Sequence, residues 1–474
     1  MHGPVRVPQT VGTGNAKVTI AFDSWKDGSV APTQHEIPVK APRSLNLKLE
    51  AVSARLKSEL IHPNKTISIG ELMFSPDGKY ILAGDYPGGV VVLWDVASGK
   101  RVTTIEMQSG LRSTARYFAA APDWRTVYSW REKRKYERVE QDGKRMIRWA
   151  FDGAILAWSL ADGKLLRTYK HDPAHNVRYM QMSPDGRVIL TYEELPGTYE
   201  RGPKSVVTLW DVASGRCRTL DGIDNSGVFS PDGKTLPCTV QDEDGYVRVL
   251  KMIDVSSGRE KWIRQIAEKN AWLGIRAFTP DGRLMFGTLR VFEKRKNYDS
   301  ERCWLKWWDA ATGDEVASFE ADNKDIFSDL RCSPDGQMLA VANWHWKGLR
   351  TQKLFLYSVP EKRLLRTVVL SERKEEMRPI ASEPAFSPDG KWLAIITRMY
   401  PEKETGENVD PRDLPQPRIL LIEATTGEIR ETMVAPQSFS NEVCFSPDGR
   451  TLATGGHGRV LLWDMTKPPA LTSR

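Results

Sequence analysis

The chain has 474 residues, of which 40% are hydrophobic and 27% charged, and its net charge is +7. This composition is typical of a soluble globular protein, and no apolar run approaches the roughly 18–20 residues that a membrane-spanning helix needs. The five cysteines are scattered without a C-x-x-C pair, which argues against a disulfide framework or a zinc site. Because the first residues also lack the apolar segment of a secretory signal, we expect a cytoplasmic protein without a membrane segment.

Residues 1–54 do not share the pattern of the rest of the chain. Residues 17–22 and 45–49 alternate between apolar and polar side chains, as half-buried strands do. A segment this short cannot bury a core of its own. We therefore expect a β-rich N-terminal extension, and the sequence leaves open whether it is the remnant of an upstream domain.

The rest of the chain is organised by a four-residue turn that recurs. In this turn the proline presets φ, the aspartate can hydrogen-bond nearby backbone, and the glycine supplies the positive φ that reverses the chain. SPDG begins at residues 75, 183, 230, 333, 387 and 446, TPDG begins at 279, and a degenerate APDW begins at 121. These regular copies predict a repeat protein.

Each turn leads into an apolar, β-rich stretch that ends in Trp-Asp or a related dipeptide, and in most copies a glycine and a further strand follow. A unit of this size exposes an apolar face that only neighbouring copies can cover. We therefore interpret the repeated tryptophans as wedges between stacked units and not as ligand platforms. The residues that define the repeat are Trp94, Asp95, Trp158, Trp210, Asp211, Trp308, Asp309, Trp463 and Asp464.

These units resemble the blades of WD-repeat (tryptophan–aspartate repeat) β-propellers, in a degenerate, bacterial-type form, over about residues 55–464. The resemblance implies an all-β fold, a single closed propeller of four-stranded blades around a central channel. It also implies a platform on which proteins assemble. The family's Gly-His dipeptide is missing almost everywhere, so its histidine–aspartate–tryptophan network is not implied. Eight blades are the preferred count, and seven blades plus a degenerate unit are the alternative, because the copy at 121–124 is weak.

The two ends of the repeat region predict how the ring closes. After Trp463-Asp464 no outer strand can form, because Pro468-Pro469 cannot join a ladder. Residues 55–60 stand where an outer strand precedes every other blade. We predict that residues 55–474 form one propeller and that residues 55–60 complete its last blade, which removes an open sheet edge.

Insertions fall almost entirely between the second and third strands of the predicted blades, so they project from one face of the ring. They are residues 131–148, 194–204, 293–302, 343–353 and 398–418, with net charges of +4, 0, +1, +3 and −1, which together equal the +7 of the whole chain. Insertions confined to one face are the usual sign of a binding face.

Aromatic and basic residues of these insertions are the candidates for contact with a protein partner, because interface hot spots favour such side chains. For any single loop, a solvated hairpin is the simpler interpretation. Binding of nucleic acid or another polyanion by the basic loops at 131–148 and 343–353 is the alternative hypothesis. The candidates are Arg131, Lys133, Arg134, Lys135, Tyr136, Arg138, Tyr199, Tyr298, Trp344, His345, Trp346, Lys347, Arg350 and Tyr400.

No catalytic pattern stands out in the sequence: it has neither a G-x-S-x-G nor an H-E-x-x-H motif, and no acid pair at a definable site. We therefore expect a monomeric, non-enzymatic protein without cofactor or metal. A hydrolase or lactonase-like enzyme at the channel mouth is a further hypothesis, since a propeller can assemble an active site from residues that are distant in sequence.

Overall fold

The computed structural model divides the chain into two compact units, Met1–Ala54 and Arg55–Arg474. Its described residues contain strands and turns and no helix, and so no helix that could cross a membrane. The described residues are 16–20, 35–39, 55–63, 68–86, 89–106, 118–131, 134–141, 144–151, 154–170, 176–194, 205–220, 222–223, 225–292, 301–322, 325–344, 351–372, 377–401, 415–434, 442–456 and 458–467.

The N-terminal unit contains one antiparallel strand pair in its described part. Ala16–Ile20 pairs with His35–Val39, and Ala16 lies opposite Val39. The first of these strands overlaps the predicted strand at 17–22, whereas the predicted strand at 45–49 lies outside the described residues.

The described residues of the second unit form eight antiparallel blades, which confirms the all-β propeller and the preferred count of eight. From first to fourth strand, blade 1 consists of Ser68–Phe74, Tyr80–Tyr86, Val90–Asp95 and Arg101–Glu106, and blade 2 of Phe118–Ala120, Thr126–Arg131, Ala154–Ser159 and Leu165–Lys170. Blade 3 consists of Asn176–Met182, Val188–Glu194, Ser205–Asp211 and Cys217–Leu220, and blade 4 of Asn225–Ser226, Thr235–Gln241, Val247–Asp254 and Glu260–Gln265. Blade 5 consists of Ala271–Phe278, Leu284–Phe292, Glu301–Asp309 and Glu315–Glu320, and blade 6 of Ile326–Cys332, Met338–Trp344, Thr351–Ser358 and Arg363–Glu372. Blade 7 has a first strand in two parts, Met377–Ala381 and Ala385–Phe386, followed by Trp392–Pro401, Arg418–Glu423 and Ile429–Val434. Blade 8 consists of Val443–Phe445, Thr451–Gly455, Arg459–Asp464 and Leu56–Ile61.

The fourth strand of blade 8 comes from the start of the unit. Leu56–Ile61 pairs antiparallel with Arg459–Asp464, and Leu56 lies opposite Trp463. Just before this strand, Arg55 donates from Nε to Glu431 Oε1 at 2.7 Å and from Nη1 to the Asp464 carbonyl at 2.9 Å. Both partners of the ion pair are buried, and Glu431 belongs to blade 7. The closing strand is therefore tied to two blades at once.

Apolar seams between neighbouring blades form the core. Within the described strands, eight clusters of buried residues each combine side chains from two adjacent blades, including one that joins blade 8 to blade 1. All five repeat tryptophans are buried, and each packs in the seam that faces the preceding blade; Trp210, for example, is 0% exposed between blades 2 and 3. Eight blades joined by eight seams make a closed ring.

Three of these tryptophans are fixed by a hydrogen bond to a hydroxyl on the second strand of their own blade. The indole Nε1 of Trp158 donates to Ser129 Oγ at 2.9 Å, that of Trp210 to Thr191 Oγ1 at 2.9 Å, and that of Trp463 to Thr454 Oγ1 at 3.0 Å. In blade 1 a buried histidine instead lies against the indole: the rings of His62 and Trp94 are 6.3 Å apart. The tryptophan anchor thus persists in blades that lack the Gly-His dipeptide.

The weak eighth turn at 121–124 adopts the same geometry as the others. Trp124 has φ 54°, in the left-handed region that glycine occupies in the other copies, and its N–H donates to the Ala121 carbonyl at 2.9 Å. The corresponding bond in the first copy joins Gly78 to Ser75 at 2.8 Å. This turn opens a complete four-stranded blade 2, so the seven-blade alternative is wrong.

The two faces of the ring differ in their connections. All turns between first and second and between third and fourth strands lie on one face, here called the tight-turn face. The connections between second and third strands lie on the opposite face, here called the inserted-loop face. On the tight-turn face neighbouring turns touch: a Cβ built on Gly78 would lie 3.6 Å from Cδ of Pro447 in blade 8.

Removal of the closing strand should open the ring. We expect a chain lacking residues 1–43 to melt as the full chain does, because it keeps Arg55 and the closing strand. A chain lacking residues 1–62 should aggregate and melt at a lower temperature, since blade 8 then has an open edge. Light scattering and differential scanning calorimetry compare the two. Equal stability of both truncations would show that the strand is dispensable.

The tight turns should make the ring sensitive to acid. Hydrogen bonds from Ser256 and Ser257 lower the pKa of Asp254 to about 2, and comparable bonds lower the pKa of Asp95, Asp211 and Asp464. Because these pKa values fall on folding, the stabilisation is present above the unfolded value of 3.8 and is lost as pH falls through the folded value. We expect the melting temperature to drop between about pH 4 and pH 2.

Asp254→Asn is the control for this effect. It should melt below wild type at pH 6, and the difference should shrink as the pH approaches 2, because wild type then loses the same charge. A difference that stays constant over this range would contradict the assignment.

Candidate functional site

The predicted partner-binding residues fall into two groups. Some lie in strands next to the insertions, where the backbone is described: Arg131, Arg134, Lys135, Tyr136, Arg138, Trp344 and Tyr400. The others lie outside the described residues: Lys133, Tyr199, Tyr298, His345, Trp346, Lys347 and Arg350.

The insertion of blade 2 forms a hairpin of its own. Arg134–Gln141 pairs antiparallel with Lys144–Phe151 in a separate two-stranded sheet. Its register sets Tyr136 opposite Trp149 and Arg138 opposite Ile147. The insertion therefore extends past the predicted boundary at residue 148. The second and third strands of blade 2 pair up to the point where the insertion begins, since Arg131 at the end of one lies opposite Ala154 at the start of the other.

An aromatic and arginine cluster is centred on Trp272, near the inserted-loop end of blade 5, and Arg276 reaches its ring from further along the first strand. The guanidinium carbon atoms of Arg276 and Arg290 each lie 5.5 Å from the centre of the Trp272 ring. Gly274 makes room for the indole, since a Cβ there would lie 2.8 Å from a ring carbon of Trp272. The strand pairing fixes the geometry by placing Trp272 opposite Arg290. We call Trp272, Arg276 and Arg290 the blade 5 cluster.

A second stacked pair stands on the third strand of the same blade. The guanidinium carbon of Arg302 lies 4.7 Å from the centre of the Trp304 ring, and its Nη2 lies 2.6 Å from Glu320 Oε1. The indole is half-buried against the seam with blade 4. Blade 5 thus presents two tryptophans with stacked arginines next to the insertion at 293–302.

The base of the blade 6 insertion is held by a buried polar network. Asp325 is 3% exposed and accepts from Asn343 Nδ2 at 2.9 Å and from Lys353 Nζ at 2.8 Å. Asn343 also accepts at Oδ1 from the Lys353 backbone N–H at 2.7 Å, and its carbonyl accepts from Gln352 Nε2. The network ties together both ends of the loop that contains Trp344 and Trp346.

The first strands of blades 6 and 7 bring carboxylates and arginines together. Arg331 donates to Glu383, and burial raises the pKa of Asp329, as does the charge of Glu383. Arg276 and Arg331 lower the same pKa and partly offset this effect. Of the described propeller residues one is a histidine, His62, and it packs against Trp94 in blade 1. Carboxylates and arginines of these two strands thus lie close enough to interact electrostatically.

No metal site is apparent in the part of the chain that the structure describes, where no group of three or more histidine, cysteine, aspartate or glutamate side chains could hold an ion. The sequence reasoning missed the blade 5 cluster and Asp325 because it looked for contact residues in loops, and these residues lie within strands or directly next to one. The alternation Trp272-x-Gly274-x-Arg276 is the sequence signal from which the blade 5 cluster could have been predicted.

Comparison with known proteins agrees with the geometry. The WD40 family (WD domain, G-beta repeat) matches residues 431–464. The chain folds as a β-propeller, and one of its repeats matches the WD40 model. The C-terminal WD40 domain of Sif2 is similar at 12% identity, with a TM-score of 0.53, over 87% of this chain and 99% of that one. Hydrazine synthase of Kuenenia stuttgartiensis aligns at 16% identity over 85% and 97% of the two chains, with a TM-score of 0.43. No curated protein sequence matches significantly.

The matched repeat is offset from the structural blade. Residues 431–464 run from the fourth strand of blade 7 through the first three strands of blade 8. A WD40 repeat that ends at its third strand leaves the last blade without an outer strand. The strand at Leu56–Ile61 occupies that position in the structure.

Lys353→Met should loosen the base of the blade 6 loop. It leaves the Asp325 carboxylate buried without its cation, which we expect to cost roughly 1–3 kcal/mol in the free energy of unfolding. Chemical denaturation measures this loss. The double variant Asp325→Asn/Lys353→Met should recover part of it, since no unpaired charge remains. Equal stability of wild type and the single variant would contradict the network's role.

Proposed function

We propose that this propeller is a protein-interaction scaffold that binds its partner through the inserted-loop face. WD40 propellers generally act as such scaffolds. The observation that carries the proposal is the blade 5 cluster, because it puts the half-buried Trp272 and the opposite Arg290 near the end of the blade that faces the insertions. Arg276 reaches the same ring from further along the first strand. Tryptophan and arginine are the residue types most enriched at interface hot spots.

Pre-organisation strengthens this argument. A long arginine side chain normally loses rotamer freedom when it binds, about 0.5–1.5 kcal/mol for each immobilised side chain. Arg276, Arg290 and Arg302 already stack on indole rings, so part of that ordering is complete before a partner arrives. The network around Asp325 supports the same conclusion for blade 6, since it holds the base of the loop in one arrangement.

The charge pairing on this face favours a protein over a polyanion. Arg302 is neutralised by Glu320 and Lys353 by Asp325. Phosphate binding needs cations that can exchange their counterions for phosphate, and a paired cation contributes less to it. We infer a non-catalytic, cytoplasmic and monomeric protein, with nucleic-acid binding by the hairpin at Arg134–Phe151 as the second candidate because its two strands carry a net positive charge.

Deletion of residues 134–151 tests the proposal. The deletion leaves Glu132-Lys133-Asp152-Gly153 as a short connection between strands that already pair at Arg131 and Ala154. We expect the melting temperature to stay within about 2 °C, because the hairpin belongs to no blade. Affinity capture from the native lysate followed by mass spectrometry should show the loss of a specific protein. The charge reversal Arg276→Glu should weaken the same capture at least tenfold.

Arg259→Glu is the matched control, because Arg259 is an exposed arginine after a tight turn on the opposite face. It should capture the partner as wild type does. Capture that is unchanged by both the deletion and Arg276→Glu would overturn the proposal. If the captured ligand is nucleic acid, and its binding falls steeply between 50 and 200 mM salt, the polyanion alternative is correct.

A further inference from the structure

A cleft opens on the tight-turn face between blades 3 and 4. It has a volume of about 730 Å³ and is lined by the turns at Asp185–Arg187 and Gly233–Lys234 and by the start of the fourth strand of blade 3. Its apolar floor includes Leu209 and Val255, which are 5% and 7% exposed. The volume lies within the range of ligand-binding pockets in proteins.

The cleft lies where both neighbouring seams are filled by a long side chain. At the fourth residue after the glycine of the third-to-fourth-strand turn, blades 2 and 4 place a side chain that reaches the next blade. Arg167 donates to the carbonyls of Ala213 and Ser214 at 2.6 Å, and Trp262 donates to that of Ala310 at 3.0 Å.

The equivalent residue of blade 3 is Thr219. It is exposed, and its hydroxyl lies 3.4 Å from that of Thr208 in its own blade. Its fourth strand, Cys217–Leu220, is also shorter than the corresponding strands of blades 2 and 4. At this position the seam therefore lacks the long side chain that fills the two neighbouring seams.

Four cationic side chains surround this opening: Arg187, Arg216, Arg218 and Lys234. The side chains of Arg187 and Lys234 are 83% and 78% exposed, and their pairs with the turn aspartates are loose, at 3.8 and 3.7 Å. Arg218 donates to the Ser256 carbonyl at 3.3 Å and packs against Gly258 of blade 4, where a Cβ would lie 2.8 Å from its Nη1.

The carboxylates at the cleft are occupied by their own turns. Asp211 accepts from the Ser214 N–H at 2.7 Å, and Asp254 accepts from the Ser256 hydroxyl at 2.7 Å and the Ser257 N–H at 2.8 Å. Asp185 accepts from the Ser183 hydroxyl at 2.6 Å. These carboxylates stay charged, so the lining carries four cations against three carboxylates. The acids are held in place by their turns, whereas the exposed side chains of Arg187 and Lys234 can turn towards a ligand.

We propose that this cleft binds a short acidic peptide segment of a protein. Arg216 and Arg218 pair with its carboxylates, Arg187 and Lys234 supply further positive charge, and an apolar side chain of the segment covers Leu209 and Val255. This site is separate from the inserted-loop face, so the two proposals stand or fall independently.

A fluorescein-labelled octapeptide of alternating glutamate and leucine probes the cleft in the full chain by fluorescence polarisation. Wild type should bind it saturably, and more tightly than the matching lysine–leucine peptide. Arg216→Glu/Arg218→Glu should weaken binding at least tenfold. Arg259→Glu/Lys261→Glu, at the same offsets after Gly258, should change it less than twofold. Melting temperatures of both double variants confirm that each is folded.

Cys217 locates the bound peptide. It is the exposed cysteine of those described, and it lines the cleft. Saturating peptide should slow its alkylation by a maleimide at least fivefold in wild type, measured by peptide mass spectrometry. Deletion of residues 134–151 should leave this protection unchanged. Absence of saturable binding, equal loss in both double variants, equal binding of the lysine peptide, or unprotected Cys217 would each overturn the proposal.

Discussion

The apolar faces of the blades are the constraint on which the rest of the structure depends. A four-stranded sheet cannot cover its own faces, so each blade is stabilised in the two seams that it shares with its neighbours. In five seams the largest repeated component is a buried tryptophan, and truncation of such a residue costs about 3–5 kcal/mol. An open stack would leave two uncovered faces and a free strand edge. Closure by Leu56–Ile61, tied to blade 7 through Arg55 and Glu431, removes both.

This constraint separates the two faces of the ring. On the tight-turn face, serine and aspartate side chains are engaged in holding the turns, and neighbouring turns touch across the seams. A substitution on the tight-turn face therefore changes the stability of the fold before it changes binding. The connections on the opposite face lie beyond the seams, so they can lengthen without uncovering the core. The blade 2 hairpin and the blade 5 cluster stand on that face, and the cleft between blades 3 and 4 is a place where the tight-turn face has spare room.

Much of the fold could be predicted because its determinants are local. The Pro-Asp-Gly turns, the apolar strands and the Trp-Asp ends lie within one repeat, and even the degenerate turn at Trp124 keeps its bond to Ala121. From the sequence, the candidate site could be assigned to one face of the ring, but its individual contacts could not be predicted. The pairs that shape it, such as Trp272 with Arg290 and Asp325 with Lys353, depend on strand register and on distances between blades. Arg55 and Glu431 are 376 residues apart, and no sequence period links them.

Hydrogen–deuterium exchange of the propeller with and without its captured partner tests the central claim most directly, because it reports on every backbone segment of both faces at once. The account predicts slower exchange on binding at the strand ends of the inserted-loop face, in residues 131–154, 290–304 and 343–353. It predicts unchanged exchange in the tight turns at 75–78 and 279–282. Protection of those turns together with unchanged exchange at the three inserted-loop segments would contradict it.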